Sequence, residues 1–370
     1  MTIPTVSVYI LTPNWFIRPR NTDWRNQRFS LPRISEFEPS CRMYPSRSLR
    51  IAIHANLRYA QGVAANRLHV RFRRARGPIL DRKEFFQNGC QVVFCHDDYP
   101  LNADAVPVVW RNSVLDPEMQ RAAGLTEEQL AAQIAEKEAG FIQARFTQVS
   151  SEAERIRLSA WFPRIASRFV VIPYFIPNVR SLGETELEDK LSDNGLLRCL
   201  FVGHEARRKG LARVYDAFLA LSPAFRRRVH LTVVSSMSDG PVPAPSLPNL
   251  TVHGALPFAQ AQALIRQSHV FLMPSLSESF GLVYVEAQAQ GTIPIVPDWE
   301  VQREIVDNGR AGFITNGDRG VLAKIIEQLS EDHELRKTIA WNAWHRFRSH
   351  YAPDVVARKY SAVFHRAAVQ

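Results

Sequence analysis

Short apolar runs alternate along the chain with longer segments whose apolar residues recur at helical spacing, the rhythm of βα units on a parallel sheet. The runs fall into two blocks. In the first, the predicted strands are Val6–Leu11, Arg50–His54, Val92–Cys95, Val106–Trp110, Phe146–Val149 and Phe169–Ile172. In the second they are Leu196–Val202, His230–Ser235, Leu250–His253, Val270–Met273 and Ile293–Val296, alternating with helices near 210–221, 258–267, 281–290 and 320–330. The clearest helix of the first block is Thr126–Arg145. Thr126 and Gln129 form a capping box there, and Leu130, Ile134, Phe141 and Ile142 follow the helical period. Between the blocks, Ile172-Pro-Tyr-Phe-Ile-Pro-Asn178 reads as an extended crossing followed by the polar stretch Ser181–Asn194, and the linker is placed there. The end of the chain reads as two helices broken at Ala352-Pro353. Residues 12–49, with five prolines, match neither period and read as a long, poorly regular insertion.

Composition bounds the class. With 370 residues, 46% of them hydrophobic and 22% charged, the chain holds enough apolar material for two mid-sized cores, which excludes disorder as its dominant state. No apolar run approaches the roughly 18 residues of a membrane-spanning helix. Met1–Phe16 lacks the pattern of an export signal, so the expected location is the cytoplasm. Cys41, Cys90, Cys95 and Cys199 are too scattered for a disulfide framework or a zinc site.

The net charge of +10 matters through its location. Residues 1–76 carry 14 arginines against Asp23, Glu36 and Glu38, which is +11, so the remainder sums to −1. A basic segment on a near-neutral body suits one anionic surface, such as a lipid headgroup layer or a phosphorylated acceptor. Within it, Val63–Ala75 can form a helix with Arg67, Arg71 and Arg74 on one face. This face is expected to meet the inner surface of a membrane or a soluble acidic acceptor; a merely solvated surface is the plainer alternative. Nucleic acid is not expected, because the basic cluster has no aromatic interleaving and no reader motif.

The densest chemistry lies in Pro274-Ser-Leu-Ser-Glu-Ser-Phe-Gly-Leu-Val-Tyr-Val-Glu286, which follows an apolar strand and opens a helix. In open α/β sheets, ligands bind at the carboxyl ends of strands. A helix beginning near Gly281 puts Glu286 on its second turn and Glu278 in the preceding loop, about 10 Å apart along the axis. Between them, the N–H groups of Phe280, Gly281 and Leu282 form an anion site at a helix N-terminus. The order carboxylate, anion site, carboxylate matches hydroxylated ring, phosphates, hydroxylated ring: a sugar joined to a nucleoside diphosphate. The competing reading makes Glu278 a complement to the helix dipole and Glu286 part of a solvated helix face. A second strand-loop-helix segment, Leu200-Phe-Val-Gly-His-Glu-Ala-Arg-Arg-Lys-Gly-Leu211, turns at Gly203 and sets Arg207, Arg208 and Lys209 just before a helix. Cations there oppose the helix dipole, so an anion is the expected compensation.

Together these motifs resemble the retaining glycosyltransferases of family 4. The family's two glutamates separated by seven residues are Glu278 and Glu286 here, with the Glu-Ala continuation running to Val296. Its phosphate loop is similar to Phe201–Leu211, and the likeness extends through His253-Gly254 and Asn308–Phe313 over nearly all of 196–365. In the first half, Gln91–His96 is similar to the strand that ends in a donor-site histidine, and Phe146–Ser151 to a strand and serine ahead of a helix.

The resemblance implies an α/β protein of GT-B fold: two Rossmann-like parallel-sheet domains facing a cleft, with C-terminal helices crossing back to the N-domain. The implied division is an acceptor-side domain over 1–178, a linker over 179–194, a nucleotide-sugar domain over 195–350 and a returning helix over 351–370. It implies hexosyl transfer from a nucleoside diphosphate sugar, with UDP favoured over GDP, to a hydroxyl of a glycan, a lipid-linked or a small-molecule acceptor. Anomeric configuration is retained, and neither metal nor organic cofactor is implied. Gly203, Arg207, Arg208 and Lys209, with the N–H groups of Phe280, Gly281 and Leu282, are implied to hold the diphosphate, Glu286 the ribose, and Glu278 the transferred sugar. His96 is implied to reach that sugar across the cleft. Positioning and electrostatic stabilisation carry such a reaction, without a protein nucleophile.

The sequence departs from the family pattern in four respects. Neither Thr12–Trp15 nor Asn56–Tyr59 supplies its glycine loop after the first strand, and His204 stands where many members carry a phosphate-binding arginine. Asp298–Glu304 replaces a glycine-rich segment, and Val234–Met237 a Gly-X-Gly. Two other functions use the same architecture: a non-catalytic transferase-like binding subunit, and a nucleotide-sugar epimerase, which would need an acid and base pair that no residue here marks.

Overall fold

The computed structural model describes residues 5–11, 33–45, 80–96, 100, 103–111, 117–122, 124–192 and 195–369. Two compact units contain them: one drawn from residues up to 114, 131–178 and 353 onward, the other from 115–130 and 179–352.

In the first unit, β1 (Val6–Leu11), β2 (Cys41–Pro45), β3 (Val92–His96), β4 (Val108–Arg111), β5 (Phe146–Val149) and β6 (Phe169–Val171) form one parallel sheet in the order β2-β1-β3-β4-β5-β6. Side chains alternate between the sheet faces. Val8 and Ile10 therefore join one core with Phe94, Phe175 and, from helix Pro353–Val369, Val356, Tyr360 and Phe364. Tyr9 and Leu11 join the opposite core with Val93, Trp110, Phe141 and Leu158.

The expected insertion over 12–49 needs correction where it is described, because it contains helix Ile34–Phe37 and strand β2. Pro45 sits in β2 because this is an edge strand, where proline breaks no ladder on its open side. Helix Glu127–Gln143 carries its capping box: Thr126 N–H donates to Gln129 Oε1 at 2.9 Å, and Gln129 N–H to Thr126 Oγ1 at 3.2 Å. Of its four periodic apolar residues, Leu130 and Phe141 are buried, but Ile142 is 53% exposed. The expected strand Arg50–His54, the helix Val63–Ala75 with Arg67, Arg71 and Arg74, and the segments Thr12–Trp15 and Asn56–Tyr59 lie outside the described residues.

In the second unit, β7 (Leu197–Val202), β8 (Val229–Val234), β9 (Leu250–His253), β10 (Val270–Leu272), β11 (Ile293–Pro297) and β12 (Phe313–Thr315) form a parallel sheet in the order β12-β11-β10-β7-β8-β9. The three-residue edge strand β12 was not expected from the pattern. Within the stretch read as a linker, Glu184–Ser192 is a helix of this unit. Leu187 and Leu191, one turn apart, are buried, and Lys190 Nζ donates to Gln290 O and Thr292 Oγ1 at 2.7 and 2.8 Å. Its polar composition thus hides a two-residue apolar stripe. No helix among the described residues is long and apolar enough to cross a membrane.

Candidate active site

Strands β7 and β10 are neighbours in the second sheet, so the loops at their carboxyl ends lie side by side. The first runs from Gly203 to Gly210 and leads into helix Leu211–Ala220. The second runs from Met273 to Gly281 and leads into helix Leu282–Ala289. Leu276 N–H donates to Arg208 O at 2.8 Å and Arg208 Nη1 to Ser277 O at 2.6 Å. Gly210 permits the approach: it has φ +82°, and a Cβ there would lie 2.3 Å from Pro274 O.

The structure brings Lys209 and Glu278 together as an ion pair between Nζ and Oε2. Gly203 leaves room for the lysine stem, since a Cβ there would lie 3.1 Å from Lys209 Cγ. Glu286 follows on the second turn of its helix, as the spacing predicted. It is fully buried rather than on a solvated face, and accepts from Gln262 Nε2 at 2.6 Å. Burying a carboxylate is costly to a fold, so a fully buried Glu286 is not a solvated position of the helix surface.

Between the two glutamates, Gly281 caps the helix with φ +86° and no side-chain cap. The N–H groups of Gly281 and Leu282 make no hydrogen bond among the described residues, so two donors at the positive end of the helix point to a ligand position. The Phe280 side chain is buried edge-on against Tyr351, with ring centroids 6.2 Å apart, leaving only its backbone to serve the site.

The basic loop is compensated differently from the expectation. Protein carboxylates answer its cations: Arg208 Nε donates to Glu205 Oε2 at 3.0 Å, and Lys209 pairs with Glu278. Asp239, in the loop after β8, accepts from the N–H groups of Arg207 and Arg208 at 3.2 and 2.8 Å. Arg208 holds the Glu205 carboxyl below the usual range. Burial disfavours charge on Asp239, but the two N–H groups prevail and hold its carboxyl low as well. The exposed Arg207 guanidinium turns to Pro241 O. Lys209 thus reaches Glu278, the proposed sugar-side residue.

Sequence reasoning missed Glu205, Asp239, Gln262 and Gln302. Asp239 carries a turn signal in Ser238-Asp239-Gly240, and Glu205 stands three residues before its partner Arg208; Gln262 and Gln302 lie on helices whose spacing gives no hint of their partners on distant elements. In the first unit, His96 ends β3, in register with Arg111 of β4.

Residues 184–346 match the family model for glycosyl transferases group 1. The capsular polysaccharide biosynthesis glycosyltransferase CapM of Staphylococcus aureus is 32% identical over 97 residues, 26% of either chain, so this chain spans about a quarter of that relative. Among solved structures, Anabaena HepE in complex with UDP-glucose is 14% identical with a TM-score of 0.57, covering 97% of this chain and 99% of its own. A sucrose-phosphate synthase from Thermosynechococcus elongatus is 16% identical with a TM-score of 0.63, covering 98% of both. These likenesses show the α/β GT-B fold of two Rossmann-like units.

Proposed function

We propose that the chain is a glycosyltransferase of the family 4 type, a reading supported by the match of residues 184–346 to the group 1 glycosyl transferases, and that it transfers a sugar from a nucleoside diphosphate sugar to an acceptor hydroxyl with retention of configuration. One observation carries the reading: a Lys209–Glu278 pair and a buried Glu286 lie on either side of two N–H groups at a helix N-terminus that make no hydrogen bond among the described residues. The N–H groups and Lys209 suit a diphosphate, Glu286 the ribose and Glu278 the transferred hexose. A donor that brings its own phosphate charge takes over Lys209 and leaves Glu278 to the sugar hydroxyls.

UDP is the proposed nucleotide, a reading supported by the UDP-glucose bound in HepE. In the proposed step the bond from the anomeric carbon to the diphosphate oxygen breaks, and the acceptor oxygen bonds to that carbon on the same face. The acceptor proton passes to the departing diphosphate. Oriented donors and Lys209 stabilise the charge that develops on the leaving group, without a metal or a protein nucleophile. His96 is assigned to the transferred sugar on the resemblance alone. The acceptor is a glycan, a lipid-linked or a small hydroxyl compound, and the basic N-terminal segment is assigned to its side, at the inner face of a membrane.

Thermal stabilisation by UDP-, GDP- and ADP-sugars, followed by donor hydrolysis, tests this. A UDP-sugar should raise the midpoint and be hydrolysed slowly, since a ligand at 100 times its Kd adds about 2.7 kcal/mol. Stabilisation without hydrolysis or transfer would make the protein a binding subunit, and no response to any of them would remove the donor assignment.

A further inference from the structure

Gln302 stands on helix Glu300–Ile305, fully buried, within the segment that replaces the family's glycines. Its Nε2 donates to Phe280 O at 3.0 Å and to Glu278 O at 3.4 Å. The amide orientation is forced, because two carbonyl oxygens face one end of the side chain and only the NH2 end donates. Its Oε1 is buried without a hydrogen-bond partner among the described residues. A methionine of similar volume would carry no such cost, so what glutamine adds here is the pair of bonds to the loop.

Those bonds have a consequence one atom further along the chain. In a trans peptide the C=O and the following N–H point to opposite sides, and no peptide among the described residues is cis. Drawing the carbonyls of Glu278 and Phe280 toward Gln302 therefore turns the N–H groups of Ser279 and Gly281 away from it. Neither N–H makes a hydrogen bond among the described residues, and Ser279 is exposed. The preceding carbonyl, that of Ser277, is held by Arg208 Nη1 at 2.6 Å.

We infer that Gln302 is a positioning residue of the donor site: its amide fixes the two peptide planes around Phe280 so that the N–H groups of Ser279 and Gly281 present themselves to a phosphate. The inference rests on the diphosphate reading of this site but not on transfer, so it is tested with inorganic pyrophosphate. Calorimetry should show pyrophosphate binding to Gln302→Met at least ten-fold more weakly than to the parent, with a similar melting temperature. Amide exchange at Ser279 and Gly281 should slow when pyrophosphate is added to the parent, and this protection should shrink in Gln302→Met.

Affinity within two-fold of the parent in the folded variant overturns the inference. So does a parent that binds no pyrophosphate, or one whose Ser279 and Gly281 exchange is unmoved by it. The exchange measurement needs no variant and decides the matter if Gln302→Met does not fold. Pyrophosphate binding with these protections, but no donor turnover, would leave this inference standing and remove the transferase reading.

Discussion

Glu278 and Glu286 differ in what their carboxylates touch, and the difference fixes what each substitution should do. Glu278 meets Lys209, whereas Glu286 is closed to solvent and bonded to Gln262. Glu278→Gln releases Lys209 from a competing charge, so UDP should bind as well as before or more tightly while turnover falls about 100-fold or more. Glu286→Gln should weaken UDP about ten-fold, since a hydrogen bond to a charged group is worth about 1.5–3 kcal/mol. Calorimetry with UDP and initial rates with the donor separate the two; identical profiles would contradict the division of roles. Lys209→Ala should weaken UDP too, through loss of a charge-assisted contact. Arg208→Ala should also do so, but by loosening the Ser277 carbonyl as well as by removing charge, because Arg208 is engaged with Glu205 and Ser277. The two glutamates were legible in sequence because their spacing is local to one strand-loop-helix unit, and Lys209 because it stands in the basic loop of another; that the two units meet in a Lys209–Glu278 pair was not. Gln302 and Asp239 were not, since each meets its partners across more than 20 residues of chain.

At the scale of elements, the central strands could be read because both of their faces are buried and their apolar runs are continuous; Val6–Leu11 and Phe146–Val149 fall where the pattern puts them. The edge strands β2 and β12 escaped: a strand paired on one side tolerates proline or shrinks to three residues, and both weaken the signal. Helix Glu184–Ser192 escaped because two leucines among charged residues give little periodicity, yet they decide its burial. The packing of one loop on another is likewise invisible in a linear pattern. Gly210 reads as an ordinary pre-helix glycine, but the loop after β10 passes against it. Gly210→Ala should therefore cost about 2 kcal/mol or more: about 1–2 from the left-handed backbone alone, and more from a Cβ pressed on the Pro274 carbonyl. Denaturant unfolding gives the magnitude. UDP affinity should fall with it, because the same carbonyl precedes Glu278; a variant as stable as the parent would show that the loops part without cost.

Two properties belong to the whole molecule: where its charge lies, and how the ends of its chain are used. All of the net positive charge falls in residues 1–76. If Arg67, Arg71 and Arg74 meet a membrane, flotation with liposomes should require anionic lipid, weaken with salt and be lost on changing all three to Gln, at about 1 kcal/mol per arginine at most. A triple variant that floats like its parent would favour a soluble acidic acceptor. The C-terminal residues do different work. Helix Pro353–Val369 begins 182 residues after the end of β6 at Val171 yet supplies Val356, Ala357, Tyr360, Val363, Phe364 and Ala367 to the core under one face of the first sheet. Tyr360 also donates its hydroxyl to Gln148 Oε1 at 2.9 Å, and Gln148 Nε2 reaches Ile172 O at 2.7 Å, so the helix is tied to two strand ends by a buried polar chain. A parallel sheet is stable only with both faces covered. Removing residues 353–370 bares Val8, Ile10 and Phe94. The shortened chain should lose the near-ultraviolet signal and protease resistance of the first unit while the second unit, drawn from 115–130 and 179–352, keeps its own. Phe364→Ala should weaken the first unit by about 3–5 kcal/mol, the cost of a large cavity in a packed core. Val369→Ser, at a position 87% exposed, should shift stability by about 0.5 kcal/mol or less. A truncated chain as protease-resistant throughout as the parent would mean that the first sheet closes without this helix.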